Sequence, residues 1–133
     1  MDEITVNIET SINLTESEEK VKRAVENLFG NLSTEIKPSY KGSLLKAKAK
    51  GQEALIKFRD LLRQDRIRDA ARKALLEAMR EQTISFYLNK QAAFAGHISF
   101  SEAEAESPLG PIKVTIECDE PRRLIDWLAP RTA

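Results

Sequence analysis

Apolar and polar positions alternate at the start of the chain. In "DEITVNIE", Ile4, Val6 and Ile8 fall on one side and Thr5, Asn7 and Glu9 on the other, which predicts a half-buried strand. "TESE" follows, and Thr15 with Glu18 three residues later fits a helix capping box. The period then changes. Val21, Ala24, Val25, Leu28 and Phe29 recur at helical spacing, and Gly30 suits the end of that helix. "LSTEIKP" reads as a weaker strand. Pro38 and Gly42 bracket a turn before the strand "SLLKAKAKG". Leu55, Phe58, Leu61 and Leu62 mark a second helix, and a break near Gln64–Asp65 separates it from a third. In the third helix Ile67, Ala70, Ala71, Ala74, Leu75 and Ala78 cover one broad face, so close approach to a sheet or another helix is expected. "TISFYLN", "FAGHISF" and "IKVTIEC" alternate as strands. "DEPRRLIDWLAP" closes as a short helix, with Asp119 or Glu120 as cap, Pro121 in the first turn and Pro130 at the stop.

The predicted order is β-α-β-β-α-α-β-β-β-α over a single domain, residues 1–133. Strands and helices that do not simply alternate argue for an α+β fold: one mixed or antiparallel sheet with helices packed on one face. With 41% apolar and 32% charged residues, the composition is ordinary for a soluble globular domain and unlike that of a disordered chain. No apolar run approaches the ~20 residues that span a bilayer, so no membrane partner is expected. The acidic, alternating N-terminal segment does not resemble a signal peptide. Cys118, the single cysteine, excludes an internal disulfide, and a reducing, cytoplasmic setting is the expectation.

Charge alters this picture. The net charge is zero, but residues 41–80 hold twelve basic and five acidic side chains. The flanking segments are both acidic. "RQDRIRDAARKALLEAMR", residues 63–80, has six basic residues, with Arg66, Asp69, Arg72, Lys73, Glu77 and Arg80 opposite its apolar stripe and Arg68 at the border. Asp69 and Lys73 form an i,i+4 pair, so a solvated, salt-bridged face is the default reading of this helix by itself. In "KAKAK", Lys46, Lys48 and Lys50 share one side of a strand at a spacing of roughly 6.8 Å. Strand lysines also guard exposed edges against aggregation. Together with Lys57, Arg59 and Arg63, these segments would make one basic surface if folding brings them onto a common face. Such a surface attracts phosphates without reading sequence.

Other candidate chemistry is thin. Tyr40 and Tyr87 are candidate base-stacking rings, although partly buried packing explains them as well. His97 has no cysteine or second histidine for a zinc site and no nameable catalytic partner. Cys118 ends an apolar strand face and reads as a core thiol. Glu102, Glu104 and Glu106 lack the ligand density of a calcium loop. No glycine pattern for cradling phosphate is present, and neither an enzyme nor a cofactor is expected.

"RIRDAAR", "FYLNKQAA", "SPLGPI" and "LIDWLAPRT" resemble the signature segments of a small archaeal group, uncharacterised protein family 0201. The resemblance runs over nearly the whole chain. It implies RNA binding and a fold similar to large-subunit ribosomal protein five, and it brings no binding residues to transfer. Within "FYLNKQAA", it draws attention to Asn89, Lys90 and Gln91, three polar residues able to bond phosphate or 2′-hydroxyl groups, although capping strand ends and satisfying loop backbone is the plainer account. The expected function is non-enzymatic binding of RNA, ribosomal or otherwise structured. The expected site comprises Lys46, Lys48, Lys50, Arg63, Arg66, Arg68, Arg72 and Lys73, with Asn89, Lys90 and Gln91 as a second group. The alternative is a protein-interaction or homodimerisation module.

Overall fold

The computed structural model describes residues 3–40, 42–101 and 110–131. In order along the chain, the described elements are β1 (Ile4–Asn13), α1 (Glu18–Phe29), β2 (Ser33–Ser39), β3 (Gly42–Lys50), a short 3-10 turn (Gln52–Leu55), α2 (Ile56–Gln64), α3 (Arg68–Ala78), β4 (Met79–Arg80), β5 (Thr83–Leu88), α4 (Lys90–Phe94), β6 (Phe100–Ser101), β7 (Ile112–Cys118) and α5 (Pro121–Leu128).

All seven strands join one antiparallel sheet in the order β2-β3-β1-β7-β5-β4, with β6 also on β5. β1 is central because its alternation is the longest: Ile4, Val6, Ile8 and Ile12 are buried on one side along with Thr10, whose hydroxyl donates to the Pro111 carbonyl at 3.1 Å. Register carries that side into the neighbouring strands. Ile8 faces Ala47 on β3 and Val114 on β7, and Val114 faces Phe86 on β5. The helices cover this apolar side through Val21, Leu28, Phe58, Leu62, Leu75 and Leu124. A relay of rings crosses the core: Phe29 stacks on Phe58 at 5.2 Å, Phe58 meets Phe86 at 5.9 Å, and Phe86 meets Phe100 at 5.7 Å. Among the described residues no helix covers the opposite side of the sheet.

The α+β class, the single sheet and the one-sided helical layer match expectation. Two details differ. Ser17 caps α1, accepting from the Lys20 amide, while Thr15 lies in the preceding turn. "FAGHISF" is not a full strand. Asn89 starts a helical turn, α4, and only Phe100 and Ser101 pair with β5. The reason is capping. The Asn89 side chain accepts from the Ala92 amide at 2.9 Å, which favours a helix start over continued strand.

At one end of the sheet Ser39 on β2 pairs with Gly42 on β3, and Tyr40 lies just beyond this pair. Gly42 sits at φ +140, and a Cβ there would collide with the Ile12 carbonyl oxygen on β1. The close approach of the two backbones requires glycine.

Candidate nucleic-acid interface

The open side of the sheet is polar by the same alternation that makes the other side apolar. Register arranges it in rows across the strands. One row reads Glu35, Lys46, Glu9, Lys113 and Tyr87 from β2 to β5. The next reads Ser33, Lys48, Asn7, Thr115 and Ser85. The third reads Lys50, Thr5, Glu117, Thr83 and Arg80. Lys46, Lys48 and Lys50 thus form a line down β3, all exposed. Among the described residues none of the three makes an ion pair within 4.0 Å.

The three lysines differ in their neighbours. Lys46 has a carboxylate in register on each side, Glu35 and Glu9. Lys48 has Ser33 and Asn7, and Lys50 faces Thr5. Cross-strand partners stand about 4.5–5.5 Å apart at Cβ, so the acids lower the potential at Lys46 far more than at Lys48. A trough of about 430 Å³ runs over this region, bordered by Asn7, Glu9, Ser33, Glu35, Lys46 and Lys48. Lys113 and Arg80 join the same side. The period of two in "IKVTIEC" already placed Lys113 opposite the apolar face. Arg80 is folded back, donating to the Glu77 and Met79 carbonyls at 2.8 Å each.

The helical cations lie elsewhere. α2 and α3 pack on the apolar side, so the sheet separates Arg63, Arg66, Arg68, Arg72 and Lys73 from the lysine line. The expected single patch from residues 41–80 is therefore split between the two sides of the molecule, because β3 turns its lysines away from the layer its alanines help to bury. Arg63, Arg66 and Lys73 are exposed, Arg68 is half-buried, and Arg66 adopts φ 58 in the turn between α2 and α3. Arg72 works internally: one guanidinium nitrogen lies 2.8 Å from Asp126 Oδ1 and donates to the Ala129 carbonyl at 3.2 Å. Arg59 likewise lies over the Trp127 ring at 5.0 Å and donates to its carbonyl.

The Asn89–Gln91 group does not act together. Asn89 is a cap, and Gln91 is exposed. Lys90 is fully buried, which removes it from any external ligand. Its ammonium donates to the Ser11 carbonyl at 2.7 Å and pairs with Glu16 at 3.1 Å. Glu16 also accepts from the Asn13 backbone and side-chain nitrogens. Burial pushes the Lys90 pKa below its ordinary value, and Glu16 opposes that shift. A lysine after a strand end carries no sequence signal that would pair it with a glutamate 74 residues earlier.

His97 is largely exposed and lies 3.3 Å from Asp65. Cys118 is buried, and burial raises its thiol pKa. No group of histidine, cysteine or carboxylate side chains among the described residues is placed to hold a metal ion; Glu102, Glu104 and Glu106 lie outside the described residues. Among the described residues no helix is long and apolar enough to cross a membrane. Tyr87 is half-buried beside Lys113, and Tyr40 is 95% exposed.

A family model described as RNA binding matches residues 5–118. A UPF0201 protein from Sulfurisphaera tokodaii is 48% identical over 126 residues, covering 95% of this chain and 87% of that one. One from Pyrobaculum islandicum is 43% identical, covering 91% and 85%. The crystal structure of a UPF0201 protein from Methanococcus jannaschii superposes with a TM-score of 0.84 at 32% identity, covering 95% of this chain and 99% of that one.

Proposed function

The chain belongs to the UPF0201 family, and from that premise we propose that it binds RNA without catalysing a reaction, through the backbone phosphates and the open side of its sheet. The observation that carries this reading is the line of Lys46, Lys48 and Lys50, all exposed, on a polar sheet face that no helix covers among the described residues. The strand positions on that face hold Lys37, Lys46, Lys48, Lys50, Lys113 and Arg80 against Glu9, Glu35 and Glu117, an excess of positive charge. Asn7, Thr115, Ser85 and Ser33 supply neutral hydrogen-bonding groups between the cations, suited to phosphate and 2′-hydroxyl oxygens. Arg63, Arg66, Arg68 and Lys73 are outside this surface, on the helical side.

Electrostatic binding of this kind weakens steeply with salt, because each neutralised phosphate releases counterions. Filter binding of labelled RNA at low and at near-physiological salt tests the reading. A strong fall in affinity supports it, and so does a shallower salt slope in a Lys48→Ala, Lys50→Ala double variant. Salt-insensitive binding, or none, overturns it.

A further inference from the structure

The cationic line on β3 is one strand wide. Glu35 borders it on β2, and Glu9 and Glu117 border it towards β1 and β7. Its lysines repeat at about 6.8 Å, close to the step between successive phosphates of one extended nucleic-acid strand. A second backbone running alongside Lys46 would meet Glu9 on β1, or Glu35 on β2, which is itself 3.7 Å from Lys37.

The line also has a distinct end. Going up β3 from Lys46 on the same side, Leu44 comes next, half-buried and in register with Ser11, followed by Gly42 at the hairpin. Beyond it stands Tyr40, 95% exposed, with no hydrogen-bond partner among the described residues. Asn13 faces Gly42 across the β1–β3 ladder, so Leu14, 86% exposed, leaves the sheet at the same end. A scattered exposed apolar side chain needs no explanation. Here an exposed ring and an exposed leucine share one end of the sheet, at the head of the lysine line. Flat apolar surface next to a phosphate track is what an unstacked base requires. In an A-form duplex the base faces are already stacked and out of reach.

We propose that the RNA held on this sheet is single-stranded, with its phosphates following Lys46, Lys48 and Lys50 along β3 and a base stacking on Tyr40 at the hairpin tip. This rests on the RNA-binding reading above and fixes the class of RNA.

The test is fluorescence anisotropy on the full chain, with a short labelled oligouridine and an RNA duplex of equal length at the same salt concentration, for the wild type, Tyr40→Ala and Tyr40→Phe. Tyr40 is almost wholly exposed, so its replacement leaves the core intact. The expected results are tighter binding of oligouridine than of duplex and a loss of about tenfold in Tyr40→Ala. Tyr40→Phe should stay near wild type, since stacking uses the ring and not the hydroxyl. The salt slope should stay the same in both variants. Salt-sensitive binding that ignores Tyr40→Ala, or that favours duplex, overturns this inference and leaves the RNA reading standing. Absence of binding to both probes overturns the two together.

Discussion

Arg72 and Asp126 join α3 to α5 at 2.8 Å, with the arginine side chain only 11% exposed. The same nitrogen also donates to the Ala129 carbonyl. An arginine of α3 that the sequence offered as a phosphate contact therefore packs the C-terminal helix instead. Arg72→Ala removes a charge-assisted bond and leaves the carbonyl of buried Ala129 without that donor. The expected cost is about 1–2 kcal/mol, the lower part of the range for bonds to charged groups because Asp126 is more than half exposed. Urea denaturation reads it as a lower midpoint, with Arg72→Lys recovering part of the loss. RNA affinity of the folded variant should match wild type, and a variant with normal stability but weakened RNA binding would place Arg72 in the interface after all.

Lys90 and Glu16 form a second internal link, between α4 and the turn after β1. Replacing Lys90 with methionine keeps the length of the side chain and leaves the Glu16 carboxylate held by the Asn13 backbone and side-chain nitrogens. Breaking a buried pair from one side costs about 3–5 kcal/mol. The pH dependence has a definite sign. Burial holds the Lys90 pKa below 10.5, so across that interval the unfolded chain binds the proton more readily than the native one. Native stability contributed by this group therefore rises as pH climbs towards 10.5 and is reduced below the lowered value. Urea midpoints at neutral and alkaline pH should show that rise in wild type and lack it in Lys90→Met. Parallel curves for the two proteins would mean that Lys90 titrates as an ordinary exposed lysine.

Gly42, the single glycine of the β2–β3 hairpin, should resist replacement. Alanine there meets the Ile12 carbonyl and must hold a positive φ, so the β1–β3–β2 ladder has to shift at that end. A loss of about 2 kcal/mol or more is expected, read as a lower thermal midpoint. Gly96, also at positive φ but with nothing near its would-be Cβ, serves as the control: alanine there should cost less.

Much of the fold was readable because it depends on local period. The phase of Ile4, Val6 and Ile8 sets one face of β1, and the phase of "KAKAK" sets which way Lys46, Lys48 and Lys50 point. What was not readable depends on partners distant in sequence. Nothing in "KAKAK" says that Glu35 and Glu9 flank Lys46 while Ser33 and Asn7 flank Lys48; two strand registers decide it. Nor does the sequence say that the sheet stands between those lysines and the arginines of α2 and α3. The strand expected over "FAGHISF" failed for a local reason: Asn89 caps a helical turn more effectively than alternation of apolar residues extends a strand.

The register makes a sharper statement about the lysine line than its sequence does. Lys48, between two neutral side chains, has its charge available to a phosphate, whereas Lys46 shares its field with two carboxylates. Lys48→Ala should therefore weaken RNA binding more than Lys46→Ala and lower the salt slope by about 0.7 for a single strand, while Lys46→Ala changes the slope less. The acids supply the converse. Glu35→Gln or Glu9→Gln removes a competitor for Lys46 and should tighten binding, with the gain fading at high salt as screening takes over. Titrations of the four variants at two salt concentrations decide the matter. Equal losses for the two lysines, with no gain from either glutamine, would mean that the bound RNA does not run over this part of β3, whatever its affinity for the protein.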